Sequence, residues 1–237
     1  MKKVLITTIP FGEKNPFPLE LLRDAGIDFK VNPLGKKLTE DELAKMAADY
    51  DAIVAGTEPI TDRVMSKAPK LKFVSRVGIG LDSVDLLAAR NRNILISYTP
   101  DAPAKAVVEL TIGLMLSLLR GIHTANTQMH QGKWERIFGR RLGEVTVGLI
   151  GLGRVGTGVL SRLQGFGCPR ILVNDIQPKR QLETAFGFDW VDKNTIYKEA
   201  DVISIHVPLT KHTKLMIRKP ELEMMKSDAF LINTARG

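Results

Sequence analysis

Apolar residues fall along the chain in short runs of strand length, separated by stretches in which they recur at helical spacing. In the first part, Val4 to Thr8, Phe29-Lys30-Val31, Ala52-Ile53-Val54-Ala55, Leu71 to Val77 and Ile94-Leu95-Ile96 read as strands. Between them, Leu19 to Ala25 has the pattern of a short amphipathic helix stopped by Gly26. Thr39-Glu40-Asp41-Glu42 forms a capping box that opens a helix from Glu40 to Ala48, Thr61 caps a turn of helix, and Asp82 stands to cap a helix through Leu86, Leu87 and Ala89. From Ala104 to Met129 the pattern predicts one long helix, apolar at Leu110, Ile112, Leu114, Met115, Leu118 and Leu119. Such a helix is expected to be buried between two domains or two subunits.

The alternation then resumes. Strands are predicted at Thr146 to Ile150, Ile171 to Asp175, Trp190-Val191, Val202 to Val207 and Phe230 to Asn233. Helices are predicted through Val159, Leu160, Leu163 and Phe166, at Pro178 to Phe186, in a turn reaching Ala200, and at Glu221 to Met225. Strands parted by helices imply parallel sheets covered on both faces, so the fold class is α/β with two doubly wound units. The boundary is expected near residue 100, giving domains 1–99 and 100–237.

Composition narrows the possibilities. The chain has 237 residues and 44% hydrophobic content, ordinary for a globular protein of two domains. A single cysteine, Cys168, excludes an internal disulfide and fits a reducing compartment, so a cytoplasmic location is expected. Met1 to Ile6 is too briefly apolar for a signal peptide, and the longest apolar run, Leu110 to Leu119, is far short of the ~20 residues a bilayer needs. No membrane and no metal are expected. The net charge of +8 comes from scattered lysines and arginines rather than a basic stripe, which argues against nucleic acid and for a field that attracts small anions.

The chemistry is most legible after Ile150. Gly151-Leu152-Gly153-Arg154-Val155-Gly156 follows one predicted strand and opens a helix, the context in which GxGxxG receives a dinucleotide. Gly151 permits the tight turn, Gly153 lets backbone approach a diphosphate, and Gly156 lets helix and strand pack closely, while the helix N-terminus faces the phosphates. The next strand ends in Asp175, about twenty positions on, where a carboxylate can hold the ribose hydroxyls and repel a 2′-phosphate. The cofactor implied is NAD.

Arg76-Val77-Gly78-Ile79-Gly80-Leu81-Asp82-Ser83-Val84-Asp85, Val108-Glu109-Leu110, the Gly151 fingerprint, His206-Val207-Pro208-Leu209-Thr210 and Asn233-Thr234-Ala235-Arg236-Gly237 together resemble the successive signatures of the D-isomer-specific 2-hydroxyacid dehydrogenases. The match is collinear, covers nearly the whole chain, and is most similar to short phosphoglycerate dehydrogenase-like members. It implies a flavodoxin-like substrate domain, a Rossmann-like NAD domain incomplete at its C-terminus, a cleft between them, and a homodimer built on the helix around 104–129. The reaction implied is hydride transfer between a small-molecule 2-hydroxy or 2-oxo acid, 3-phosphoglycerate among the candidates, and NAD.

The resemblance also assigns residues. It gives Arg236 the catalytic and substrate-gripping role, and it gives Val77, Gly78 and Ile79 the substrate loop, whose backbone N–H groups are expected to hold the acid's carboxylate. Along NAD it sets Ile79, Gly151, Gly153, Arg154, Val155, Gly156, Asp175, His206, Val207, Pro208, Thr213, Thr234, Ala235 and Arg236. Read without it, Arg76 is expected to be a surface cation and His206 a structural histidine at a strand end. The glutamate and histidine that supply acid–base chemistry in the family lie beyond the arginine, in a segment outside these 237 residues, so the chain is expected to be truncated and impaired. His123, His130 and His212 have no evident path to Arg236. Two departures bear on the substrate: Pro103 stands where the family often has asparagine, and Ala55-Gly56 where phosphoglycerate-specific members often have arginine. The rival reading is a non-catalytic NAD-binding interaction module on the same scaffold.

Overall fold

The structure is a computed structural model and describes residues 2–236. It divides into two compact units, Met1–Pro103 and Ala104–Gly237.

In the first unit five parallel strands, β1 (Lys3–Ile6), β2 (Asp28–Val31), β3 (Ala52–Ala55), β4 (Phe73–Arg76) and β5 (Leu95–Tyr98), form a sheet ordered β2-β1-β3-β4-β5. The connections carry α1 (Phe17–Asp24), α2 (Glu40–Met46), α3 (Asp62–Ser66) and α4 (Leu86–Asn91). The capping box at Thr39 is present, with Thr39 Oγ1 accepting from Glu42 N–H and the Glu42 carboxylate accepting from Thr39 N–H. One cap differs from expectation. Asp85, not Asp82, opens α4, its carboxylate accepting from Ala88 N–H at 2.9 Å, because the chain turns through Ser83 and Val84 to bridge Ile60 before it can become helical.

The second unit opens with α5 (Ala104–Leu119) and α6 (Ile122–His130), followed by β6 (Thr146–Ile150), α7 (Arg154–Leu163), β7 (Arg170–Asn174) and α8 (Arg180–Phe186). It ends with β8 (Asp189–Trp190), α9 (Lys193–Glu199), β9 (Val202–Ile205), α10 (Lys219–Glu223) and β10 (Phe230–Asn233). The sheet is again parallel, ordered β10-β9-β6-β7-β8. The ten strands and the α/β class follow the predicted pattern, with ends displaced by a few residues.

The single long helix does not. It is two helices bent by 64° at a break, because Gly121 adopts the left-handed conformation (φ 61°) and a Cβ there would press on Ile137 Cγ2 at 2.7 Å. The sheet of the second unit has apolar residues on both faces, α5 and α7 covering one and α9 the other. Among the described residues no single helix is long and apolar enough to cross a membrane.

Candidate functional site

In a doubly wound sheet, ligands bind beyond the carboxyl ends of the strands where the order reverses. In the second unit that reversal lies between β6 and β9. Gly151 to Gly156 follows β6, Asp175 follows β7, His206 to Pro208 follows β9, and Thr234 to Arg236 follows β10, so these candidates share one sheet edge.

The three glycines are held in three different ways. Gly151 has φ 99°, and a Cβ on it would lie 2.8 Å from His206 C and 2.9 Å from Val207 Cγ1, so the β6 and β9 loops touch there. A Cβ on Gly156 would collide with the Gly151 carbonyl. At Gly153, the N-cap of α7, no atom of the described residues lies within 4 Å of a Cβ position. Two glycines are thus required by the fold, while the third leaves room beside the helix N-terminus, a fit for a dinucleotide's diphosphate.

Asp175 works inside the loop as well. Its Oδ2 accepts from Leu152 N–H at 2.6 Å and its Oδ1 from Gln177 N–H at 2.8 Å, which leaves acceptor capacity on both oxygens. Lys179, absent from the sequence reading, reaches back so that Nζ lies 3.5 Å from Leu152 O. No periodic or motif signal marks a lysine in that role.

His206 is largely buried, with Nε2 2.9 Å from Ser204 Oγ and, among the described residues, no partner for Nδ1. Loss of hydration lowers its pKa to about 4, so the imidazole is neutral near pH 7. Thr213 holds the loop after Pro208, donating from Oγ1 to Pro208 O at 2.6 Å and accepting from Thr210 N–H at 2.8 Å. Thr234 Oγ1 pairs with Thr111 Oγ1 of α5 at 2.9 Å. Asn233 shapes the Thr234–Arg236 loop: its Oδ1 accepts from Ala235 N–H and its Nδ2 donates to Arg236 O at 2.6 Å. An Asx-turn signal in Asn-Thr-Ala could have exposed that role. Arg236 itself is exposed and donates to Ala235 O at 2.9 Å, and Gly237 lies outside the described residues.

An apolar cavity of about 350 Å³ opens at this edge, lined by Ile205, Val207, Pro208, Thr213, Met216 and Arg236 among others. A larger hollow in the first unit, about 520 Å³, is bounded by Lys3 and Asp28, the first residues of β1 and β2. It therefore lies at the amino edge, away from where such sheets bind ligands. His123, His130 and His212 are exposed, and no cluster of three metal-ligating side chains occurs among the described residues.

In the first unit Val77, Gly78 and Ile79 follow β4. The loop offers fewer donors than expected, because Val77 N–H is used by Ala55 O at 2.8 Å and Gly78 N–H by Thr99 Oγ1 at 2.7 Å, leaving Ile79 N–H. Arg76 is no surface cation. It is 6% exposed, with its guanidinium packed against Gly78 and donating to Val77 O, because a side chain in the middle of a covered sheet points into the unit.

A glycine turn at a parallel sheet's switch point, an acid one strand away and an open helix N-terminus define a dinucleotide-binding α/β protein of the Rossmann class. Residues 112–237 match the model of the D-isomer specific 2-hydroxyacid dehydrogenase NAD binding domain, and the chain belongs to that family. NAD is the cofactor of this domain. The chain is 37% identical to hydroxypyruvate reductase of Thermotoga maritima over 84% of its own length and 65% of the relative's. With D-3-phosphoglycerate dehydrogenase of Methanocaldococcus jannaschii the identity is 40%, over 84% of this chain and 39% of the relative. It thus spans less than two thirds of those proteins. Among solved structures, D-lactate dehydrogenase of Aquifex aeolicus, complexed with NAD and lactic acid, superposes with a TM-score of 0.87 at 27% identity, covering 100% of this chain and 69% of that one.

Proposed function

We propose that this chain carries the NAD-dependent part of a D-2-hydroxyacid dehydrogenase, interconverting a small 2-hydroxy acid and its 2-oxo acid. The observation that carries the reading is the sharing of one sheet edge by the Gly151–Gly156 turn, the Asp175 carboxylate and the Thr234–Arg236 loop. Bound NAD supplies the hydride acceptor. The amides at the start of α7 hold the diphosphate, Asp175 holds the ribose, and Val155, Val207, Pro208 and Thr213 surround the cofactor from adjoining loops. Thr234 and Ala235 carry Arg236, whose planar guanidinium grips a carboxylate in two places and polarises the group that changes oxidation state. Val77, Gly78 and Ile79 form the turn that takes the acid, through Ile79 N–H and the positive charge of Arg76 beneath it.

A homodimer built on α5 and α6 belongs to the same reading. It is supported by the exposure of Leu110, Ile122, Met129, Trp134 and Phe138 in and just after these helices.

The test is a fluorescence titration of NADH and NADPH, followed by oxamate, a 2-oxo acid analogue, added to the NADH-loaded chain. NADH should bind at least about tenfold more tightly than NADPH, since Asp175 repels a 2′-phosphate. Oxamate should bind the loaded chain only. Arg236→Lys should weaken oxamate by about tenfold on the NADH-saturated chain, because an ammonium cannot reproduce the bidentate grip. Equal affinities for the two cofactors, or oxamate indifferent to Arg236→Lys, would overturn the reading.

A further inference from the structure

The β6–β7 ladder ends where Gly151 N–H donates to Asn174 O at 2.8 Å. The next amide, Leu152 N–H, lies beyond the strand and is taken by a side chain: Asp175 Oδ2 accepts from it at 2.6 Å. The other oxygen, Oδ1, accepts from Gln177 N–H at 2.8 Å, an Asx-turn that orients the carboxylate. Leu152 O is held too, receiving Thr157 Oγ1 at 3.2 Å and Lys179 Nζ at 3.5 Å. The Leu152 side chain is 1% exposed in the core of the unit. This variable position of the GxGxxG pattern is thus fixed by its N–H, its carbonyl and its side chain.

Gly153 comes next, in a turn that contains three glycines in six residues. Glycine loses more conformational freedom on ordering than any other residue, so such a turn takes its shape from its neighbours. On the open side of Gly153 no atom of the described residues lies within 4 Å of a Cβ position, and no packing restrains the chain there. The restraint lies one residue earlier, at Leu152, and the side chain that bonds its N–H comes from the end of the adjacent strand.

We propose that Asp175 is a positioning residue for the diphosphate as well as a ligand of the ribose: by holding Leu152 it sets the glycine turn in its binding shape before the cofactor arrives, and so couples the two ends of the site. This rests on the reading of Gly151–Gly156 as the diphosphate cradle. A turn already ordered gives up less freedom when the ligand binds, so the tie appears as affinity. Asparagine cannot replace it. Two N–H donors face the carboxylate, one at each oxygen, whereas an amide has one acceptor oxygen and turns its NH2 toward the other donor.

The test uses NADH and an analogue without the two hydroxyls of the adenosine ribose, each titrated by fluorescence into the unaltered chain and into Asp175→Asn. A carboxylate that serves the ribose alone has nothing to hold in the analogue, so the substitution would leave its affinity unchanged, or tighten it by easing repulsion of the phosphates. If Asp175 positions the turn, Asp175→Asn weakens the analogue by about fivefold, the worth of one hydrogen bond. Unchanged or tighter binding of the analogue overturns the proposal. A second measurement needs no variant. In the ligand-free, unaltered chain the Leu152 amide should exchange its hydrogen at least about tenfold more slowly than an unprotected amide; exchange at the unprotected rate overturns the proposal as well. Failure of NADH to bind the unaltered chain would instead remove the cradle on which the proposal stands, an outcome distinct from an analogue indifferent to Asp175→Asn.

Discussion

His206 directly follows β9 with its imidazole largely buried, and the cost of that position appears as pH dependence. Burial lowers its pKa from 6.5 to about 4. Between those values the unfolded chain binds a proton that the folded chain refuses, so stability is full above pH 6.5 and is lost as pH falls toward 4. The shift corresponds to about 3 kcal/mol as an upper figure, or ~1.4 kcal/mol per pH unit within the window. Urea midpoints measured from pH 7 to pH 4 should fall along this slope, and His206→Gln should flatten it; parallel slopes for the two proteins would exclude His206 as the source. The place of His206 at the end of a strand was legible in the sequence. That Asp175 spends hydrogen bonds on Leu152 and Gln177, and that Arg76 is buried, were not, since neither follows from the identity of the neighbours in sequence.

At the scale of elements, the turn between β6 and α7 separates glycines kept for the fold from a glycine kept open. A methyl group at Gly156 meets backbone of the Gly151 carbonyl, which cannot swing aside, so Gly156→Ala should cost on the order of 1–3 kcal/mol. Gly153 has φ −77° and empty space around it, so Gly153→Ala should cost at most about 1 kcal/mol, the difference between these residues at an N-cap. Its effect should appear in NADH affinity instead. Denaturation and NADH titration of both variants check the pair; a Gly153→Ala protein that binds NADH normally would mean that the diphosphate lies elsewhere. The helices show the limit of pattern reading. Apolar spacing runs on through Gly121, but glycine tolerates both a helical and a left-handed backbone, and here it takes the second, with Ile137 packed where a Cβ would stand.

For the whole molecule, two α/β units of about a hundred residues or more each have their own core. The apolar surface of the second unit then makes a prediction about assembly. Leu110 is 55% exposed, Trp134 87% and Phe138 91%, large apolar side chains in and just after α5 and α6 that a partner subunit would cover. Sedimentation at micromolar concentration should show a dimer, and Leu110→Glu together with Ile122→Lys should yield monomers that remain folded by circular dichroism. A monomeric unaltered chain would remove the dimer from the proposed function.

The alternation of strand and helix, the parallel character of both sheets and the NAD fingerprint were all determined by the sequence itself. Hydrophobic period, helix caps and the missing glycine side chain act over a few neighbouring residues and can be read locally. The tertiary structure alone decided which loop amides remain on offer, that Arg76 and Glu58 are buried, and where the long apolar helix breaks. Those outcomes depend on which strand or side chain lies alongside, and such neighbours are brought together only by the folded sheet.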